Sequence, residues 1–61
     1  MTRQERYIEA LRAAHSHEKA GRLAMALRAL GMATDLTNDE GERGHLVLWI
    51  DRLQKEFEAK K

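Results

Sequence analysis

The histidines are the residues of this sequence whose type and spacing come closest to a chemical site. His15 and His17 flank Ser16, the only serine. A metal site needs converging ligands, but residues two apart on a helix point about 200° apart, so this pair does not share an ion. His45 has a carboxylate at helical spacing only in Glu42. We therefore expect no metal site and no cofactor, and packing or surface roles for the histidines.

Catalytic residues are equally scarce. Nucleophilic catalysis requires a nucleophile, a base and an orienting group that converge on a pocket. The chain has no cysteine, and nothing places Ser16 beside a base. A few short helices also enclose little volume for a substrate. The sequence predicts a protein without enzymatic activity.

Basic residues are concentrated in the first 34 positions, where Glu5, Glu9 and Glu18 are the only acids. The cations there are Arg3, Arg6, Arg12, Lys19, Arg22 and Arg28. A basic face can bind phosphates, so a small nucleic-acid-associated regulator is the alternative function. Against it, the net charge of the whole chain is only +1, and a recognition helix rich in Arg, Asn and Gln is missing.

The run LVLWI at positions 46–50 is the best candidate for a binding surface. Its first and last residues belong to the apolar stripe of a helix, so Val47, Leu48 and Trp49 must point elsewhere. Tryptophan is enriched at binding hot spots because it buries a large area with few rotamers. We predict that these three residues, together with Arg28, bind a partner protein. The other role open to Trp49 is a place in the core of the chain or of a dimer.

The length of 61 residues allows one domain, which buries only about 60% of the surface that its unfolded chain exposes. Without cysteine, oligomerisation or very good helix packing must supplement the core, and we expect a homodimer. The longest apolar run has five residues, too few to cross a bilayer, and the N-terminus lacks an apolar signal segment. The sequence thus predicts a cytoplasmic protein.

Periodicity and breakers divide the chain into three predicted helices, at residues 2–20, 22–35 and 38–60. Thr2 with Glu5 and Thr37 with Glu40 are capping-box patterns, and Gly21 supplies the first turn. The LVLWI run also fits a strand, but no second strand exists to pair with it. The predicted fold class is all-α: a helical hairpin plus a third helix, with a core shared in a homodimer.

The apolar faces of these helices indicate how they pack. Helix one should face inward with Tyr7, Ile8, Leu11, Ala14 and His15. The apolar arc of helix two covers about 220°, whereas about 100° is enough to pack on one core, so we expect this helix to contact more than one neighbour. The residues assigned to the core or the dimer interface on helices two and three are Leu23, Met25, Leu27, Leu30, Met32, Leu46, Ile50, Leu53 and Phe57. Ion pairs are expected between Asp51 and Lys55, Arg52 and Glu56, and Glu56 and Lys60.

Positions 1–38 resemble one tetratricopeptide repeat, a helical hairpin of about 34 residues. The match is carried by the turn glycine and four packing positions: Gly21, Ala14, Ala26, Leu30 and Ala33. It departs where the family usually has tryptophan, leucine, tyrosine and proline: Ala10, Ala13, His17 and Asn38. Helix three then resembles the helix that caps such arrays. The resemblance implies a protein-binding scaffold in which a single repeat finds its neighbour by dimerising.

In its size, its lack of cysteine and its expected aromatic surface, the chain also resembles the small helical inhibitor proteins of bacteriophages, including quorum-sensing anti-activators. No diagnostic motif contributes to this likeness. It implies a protein that covers the functional surface of a larger host protein, such as a transcriptional activator. A capping fragment of a larger helical assembly is a third possibility that the sequence leaves open.

Overall fold

A computed structural model describes residues 2–59. Within that range the chain forms three helices and no strand: α1 (Arg3–Lys19), α2 (Leu23–Leu36) and α3 (Glu40–Ala59). The predicted all-α fold is confirmed, and the LVLWI run is helical. Lys60, where helix three was predicted to end and to pair with Glu56, lies outside the described residues. Over residues 2–59, no helix combines the length and the apolar character needed to cross a bilayer.

Side chains cap the starts of α1 and α3. Thr2 and Glu5 form the predicted box: the Thr2 hydroxyl accepts from the Glu5 amide at 3.1 Å, and the Glu5 carboxylate accepts from the Thr2 amide at 3.3 Å. The prediction that Thr37 caps α3 is wrong. The cap is Asp39, whose carboxylate accepts from the Glu42 amide at 3.0 Å. Thr37 instead ends α2 in an extended conformation, and its buried hydroxyl donates to the Glu42 carboxylate at 2.9 Å.

Gly21 makes the turn between α1 and α2. Its φ of 81° lies in the left-handed region, which glycine enters without the steric cost of a Cβ. The Gly21 amide donates to the Glu18 carbonyl at 3.0 Å, and the Arg22 amide donates to the His17 carbonyl at 2.8 Å. This pair of bonds is the Schellman arrangement, which satisfies carbonyls at the end of a helix. The turn therefore closes the α1–α2 hairpin where the sequence predicts it.

Small side chains let α1 and α2 pack closely. The buried residues of α1 are Ala10 and Ala14, and they meet a face of α2 whose buried small residues are Ala26, Ala29 and Ala33. The expectation that Ile8 and His15 face inward is wrong, because both are exposed. Interaxial distance depends on the side chains at the contact, so alanines on both helices favour close approach.

α2 packs against both α1 and α3, so its wide apolar arc has two neighbours within one chain. The largest fully buried side chains are Leu30, Leu46 and Leu53. These residues fill the core of the single chain. Met25 and Met32 lie outside it, with 43% and 57% of their surface exposed.

A polar cluster lies at the end of the molecule opposite the Gly21 turn. It brings together residues from α1, from α3 and from the end of α2. Burial raises the pKa of the Tyr7 hydroxyl on α1, and a hydrogen bond to Glu42, with the negative charges of Glu42 and Asp39, raises it further. The Glu42 carboxylate also accepts a hydrogen bond from Thr37, the capping residue that follows α2. The Glu42 carboxylate on α3 therefore influences Tyr7 on α1 and is hydrogen-bonded to Thr37, the residue after α2.

Close alanine packing predicts how two substitutions on α2 will differ. Ala26→Leu adds bulk at a residue with 0% exposure, and overpacking of this kind costs about 1–3 kcal/mol in the free energy of unfolding. Ala24→Leu makes the same change two residues away at an exposed position, where the expected change is within about 0.5 kcal/mol. Urea unfolding followed by circular dichroism measures both. Equal stabilities of the two variants would contradict the packing described.

Candidate protein-binding site

Trp49 lies in the core of the chain, with 8% of its surface exposed. Its indole N–H donates to the Glu18 carboxylate on α1 at 2.8 Å, across 31 residues of sequence. The second oxygen of Glu18 pairs with the Arg52 guanidinium at 3.2 Å. A buried donor left without a partner costs about 1–3 kcal/mol, so Glu18 determines which way Trp49 can face. Of the two roles that the sequence leaves open for Trp49, the structure shows the packing role.

The part of Trp49 nearest the surface lies at one side of an open pocket of about 350 Å³ between α1 and α3. The His15 ring is tilted against the indole with centroids 4.5 Å apart, and the His45 ring lies at 6.4 Å. We call this depression the Trp49 pocket; the residues that line it are His15, His45, Leu48, Trp49 and Arg52.

Leu48 is the most exposed large apolar side chain among the described residues, at 72%. It lines the Trp49 pocket together with the rings of Trp49, His15 and His45 and with Arg52. Arg52 also lies 4.0 Å from the Glu56 carboxylate, one of the predicted ion pairs. The pocket thus combines an apolar side chain, aromatic surface and polar groups at its edge, which suits an apolar side chain of another protein.

A second depression lies between α1 and α2 and has a volume of about 550 Å³. We call it the methionine groove. Its lining consists of Arg6, Glu9, Ala10, Ala13, His17, Met25, Arg28, Ala29, Met32 and Leu36. None of these residues lines the Trp49 pocket. The single binding site expected from the sequence, which joins Leu48 and Trp49 to Arg28, is therefore divided between two separate surfaces.

The predicted site residues divide between the interior and these two surfaces. Leu23, Leu30, Leu46 and Leu53 are buried, and Leu27 and Ile50 are half-buried against them. Met25 and Arg28 line the methionine groove together with Met32. Val47, at 57% exposure, and Phe57, at 36%, lie outside the core. On α3 the buried stripe thus runs through Leu46, Trp49 and Leu53, which corrects the stripe expected through Ile50 and Phe57.

Sequence reasoning missed the contributions of His15 and His45 to the Trp49 pocket. Their only signal was aromatic character on two different helices, which gives no indication of a contact across the fold. Within residues 2–59, no group of three or more His, Cys, Asp or Glu side chains is placed to hold a metal ion. No family model, curated protein or solved structure matches the chain. Function must therefore be inferred from the two surfaces.

The hydrogen bond from Trp49 predicts different effects for two substitutions of Glu18. Glu18→Ala removes the acceptor, and we expect the free energy of unfolding to fall by about 1–3 kcal/mol. Glu18→Gln loses the charge but keeps an oxygen that accepts from the indole, so its loss should be smaller. Urea unfolding followed by the fluorescence of Trp49, the only tryptophan, measures both.

Glu58→Ala is the control for these variants, because it removes an exposed carboxylate that lines neither the Trp49 pocket nor the methionine groove. It should leave stability within about 0.5 kcal/mol of the wild type. If Glu18→Ala is as stable as Glu58→Ala, the bond to Trp49 contributes nothing to stability, and the orientation of α3 has another cause.

Proposed function

We propose that the chain is a non-catalytic protein-binding module that docks on a larger protein through the Trp49 pocket and inhibits or regulates it. The observation that carries this proposal is Leu48, which is 72% exposed beside an aromatic pocket. At that exposure, most of the Leu48 side chain remains in contact with water and contributes little to the apolar packing of the chain. Covering it with a partner removes apolar surface from water, which stabilises a complex by about 25 cal/mol per Å² of surface before the costs of association.

The pocket has the composition of a binding hot spot. Such spots are apolar or aromatic at the centre and polar at the rim, where surrounding groups exclude water. In the Trp49 pocket the apolar and aromatic components are Leu48 and Trp49, and the polar ones are His15, His45 and Arg52. The bond to Glu18 holds the indole in place before a partner arrives, so little ordering is required on binding.

The proposed mechanism is occlusion: a small helical body covers the functional surface of a larger protein. This requires a stable scaffold and no reactive group. The scaffold interpretation is supported by the positions at which the sequence resembles a tetratricopeptide repeat, because Ala14, Ala26, Leu30 and Ala33 all have 0% exposure. The resemblance to bacteriophage inhibitors points to a bacterial host protein, such as a transcriptional activator, as the target.

Binding of nucleic acid through α1 and α2 has less support from the geometry. Arg6 and Arg28 share the methionine groove with Glu9, and the Arg22 side chain donates to the His17 ring at 3.1 Å. A phosphate-binding face gains affinity from uninterrupted positive charge. In the described structure, Glu9 lies among the cations of the groove, and the Arg22 side chain is bonded to an imidazole.

The test is capture of a protein from bacterial lysate by the wild-type chain and by Leu48→Asp. Truncating or charging a hot-spot residue costs about 2 kcal/mol or more, which is roughly a 30-fold weaker Kd. We expect Leu48→Asp to lose a protein band that the wild type retains. Because Leu48 is largely exposed, this variant should keep its helicity, which circular dichroism checks.

Val47→Asp is the matched control, an adjacent apolar residue that is also exposed and does not line the pocket. It should capture the same band as the wild type. Retention of the band by Leu48→Asp, or its loss from both variants, would contradict a site at the Trp49 pocket.

A further inference from the structure

The methionine groove combines long, pliable side chains with a floor of small ones. Met25 and Met32 are exposed at 43% and 57%, whereas Ala10 and Ala29 beside them are 6% and 9% exposed. Methionine adapts its shape to irregular apolar surfaces. Within one chain about half of the surface of each methionine stays exposed, and the groove leaves open space above the two alanines. A surface that presents both knobs and holes is suited to packing against a copy of itself.

The charges on the exposed face of α2 are arranged for a copy that runs antiparallel. Arg28 and Asp35 are both exposed and are seven residues apart, or about two helical turns, so they lie on the same side of α2. A two-fold axis midway between them passes beside Gly31 and Met32. That axis places each Arg28 opposite the Asp35 of the second copy, which forms two equivalent ion pairs at the rim of the contact.

Gly31 lies midway between Arg28 and Asp35 along the helix, on the edge of this face away from the methionine groove. A Cβ built on it meets nothing within 4 Å, so packing within the chain does not require glycine there. Glycine inside a helix costs about 0.5–1 kcal/mol relative to alanine. A second helix that crosses at this point can approach closely, because glycine has no side chain to hold the two backbones apart.

The size of the chain favours a second copy as the occupant. A stable interface buries about 800 Å² on each partner, roughly a sixth of the 4574 Å² surface of this chain. That area is more than one helix face provides, and the methionine groove extends the contact from α2 across to Arg6 and Glu9 on α1. A domain of 61 residues also gains proportionally more from such burial than a large one.

We propose that two copies of the chain associate through the methionine groove and the outer face of α2, with the two α2 helices antiparallel. The core leucines of α2 and α3 stay within each chain, since Leu23, Leu30, Leu46 and Leu53 are already buried there. The Trp49 pocket shares no lining residue with the groove, so the dimer presents two such pockets. This assembly does not depend on the proposed function, because it is measured without a partner protein.

The first test compares Met32→Glu with Val47→Glu by sedimentation equilibrium. Both residues are 57% exposed in the single chain, so the two substitutions are matched in their effect on the monomer. The wild type and Val47→Glu should have twice the 7.0 kDa chain mass, and the dimer Kd of Met32→Glu should rise at least about 30-fold. The proposal is overturned by a wild type that is monomeric at millimolar concentration, by a dimer Kd of Met32→Glu within about threefold of the wild type, or by a monomeric Val47→Glu.

A charge exchange tests the antiparallel arrangement of the two α2 helices. It also tests the dimer independently if Met32→Glu fails to fold. Arg28→Asp and Asp35→Arg each place like charges opposite one another and should weaken the dimer at least about tenfold. The double variant R28D/D35R restores opposite charges and should recover the wild-type Kd within about threefold. A double variant as weak as the single ones overturns the proposal.

Discussion

The hydrogen bond between the Trp49 indole and the Glu18 carboxylate is the interaction on which the arrangement of the three helices depends. It is 2.8 Å long and joins α1 to α3 across 31 residues. Burying the indole brings a large apolar area into a core otherwise made of leucine and alanine. The N–H must then find an acceptor, because an unpaired buried donor is costly. The observed orientation of α3, which points the Trp49 indole at Glu18, meets both requirements.

Both candidate surfaces follow from that orientation and from the alanine packing of α1 on α2. Turning Trp49 inward directs Leu48, its neighbour, outward beside the Trp49 pocket. Close approach of α1 and α2 through alanines leaves the longer Met25 and Met32 side chains outside the core. The chain therefore exposes apolar residues in two places and for two different packing reasons. We propose a foreign partner for the first surface and a second copy of the chain for the other.

Local signals predicted much of the fold, whereas the site depended on contacts between distant residues. The cap at Thr2 and the turn at Gly21 involve bonds within a few residues, so the sequence is enough to predict them. The stripe of α3 was ambiguous because Ile50 and Trp49 both continue helical spacing from Leu46. Glu18, which resolves that choice, lies on another helix. The cap of α3 was misassigned because Thr37 and Asp39 are equally good capping residue types, and the choice depends on where α2 ends.

Hydrogen exchange at the indole N–H of Trp49 tests the central claim most directly. The chain has one tryptophan, so its indole gives a single signal in a ¹H–¹⁵N NMR spectrum. A buried N–H bonded to Glu18 should exchange with deuterium at least about 100-fold more slowly than in the unfolded chain, because exchange requires the core to open. Exchange at the unfolded rate while the helical amides remain protected would show that Trp49 is outside the core and that Glu18 does not orient α3.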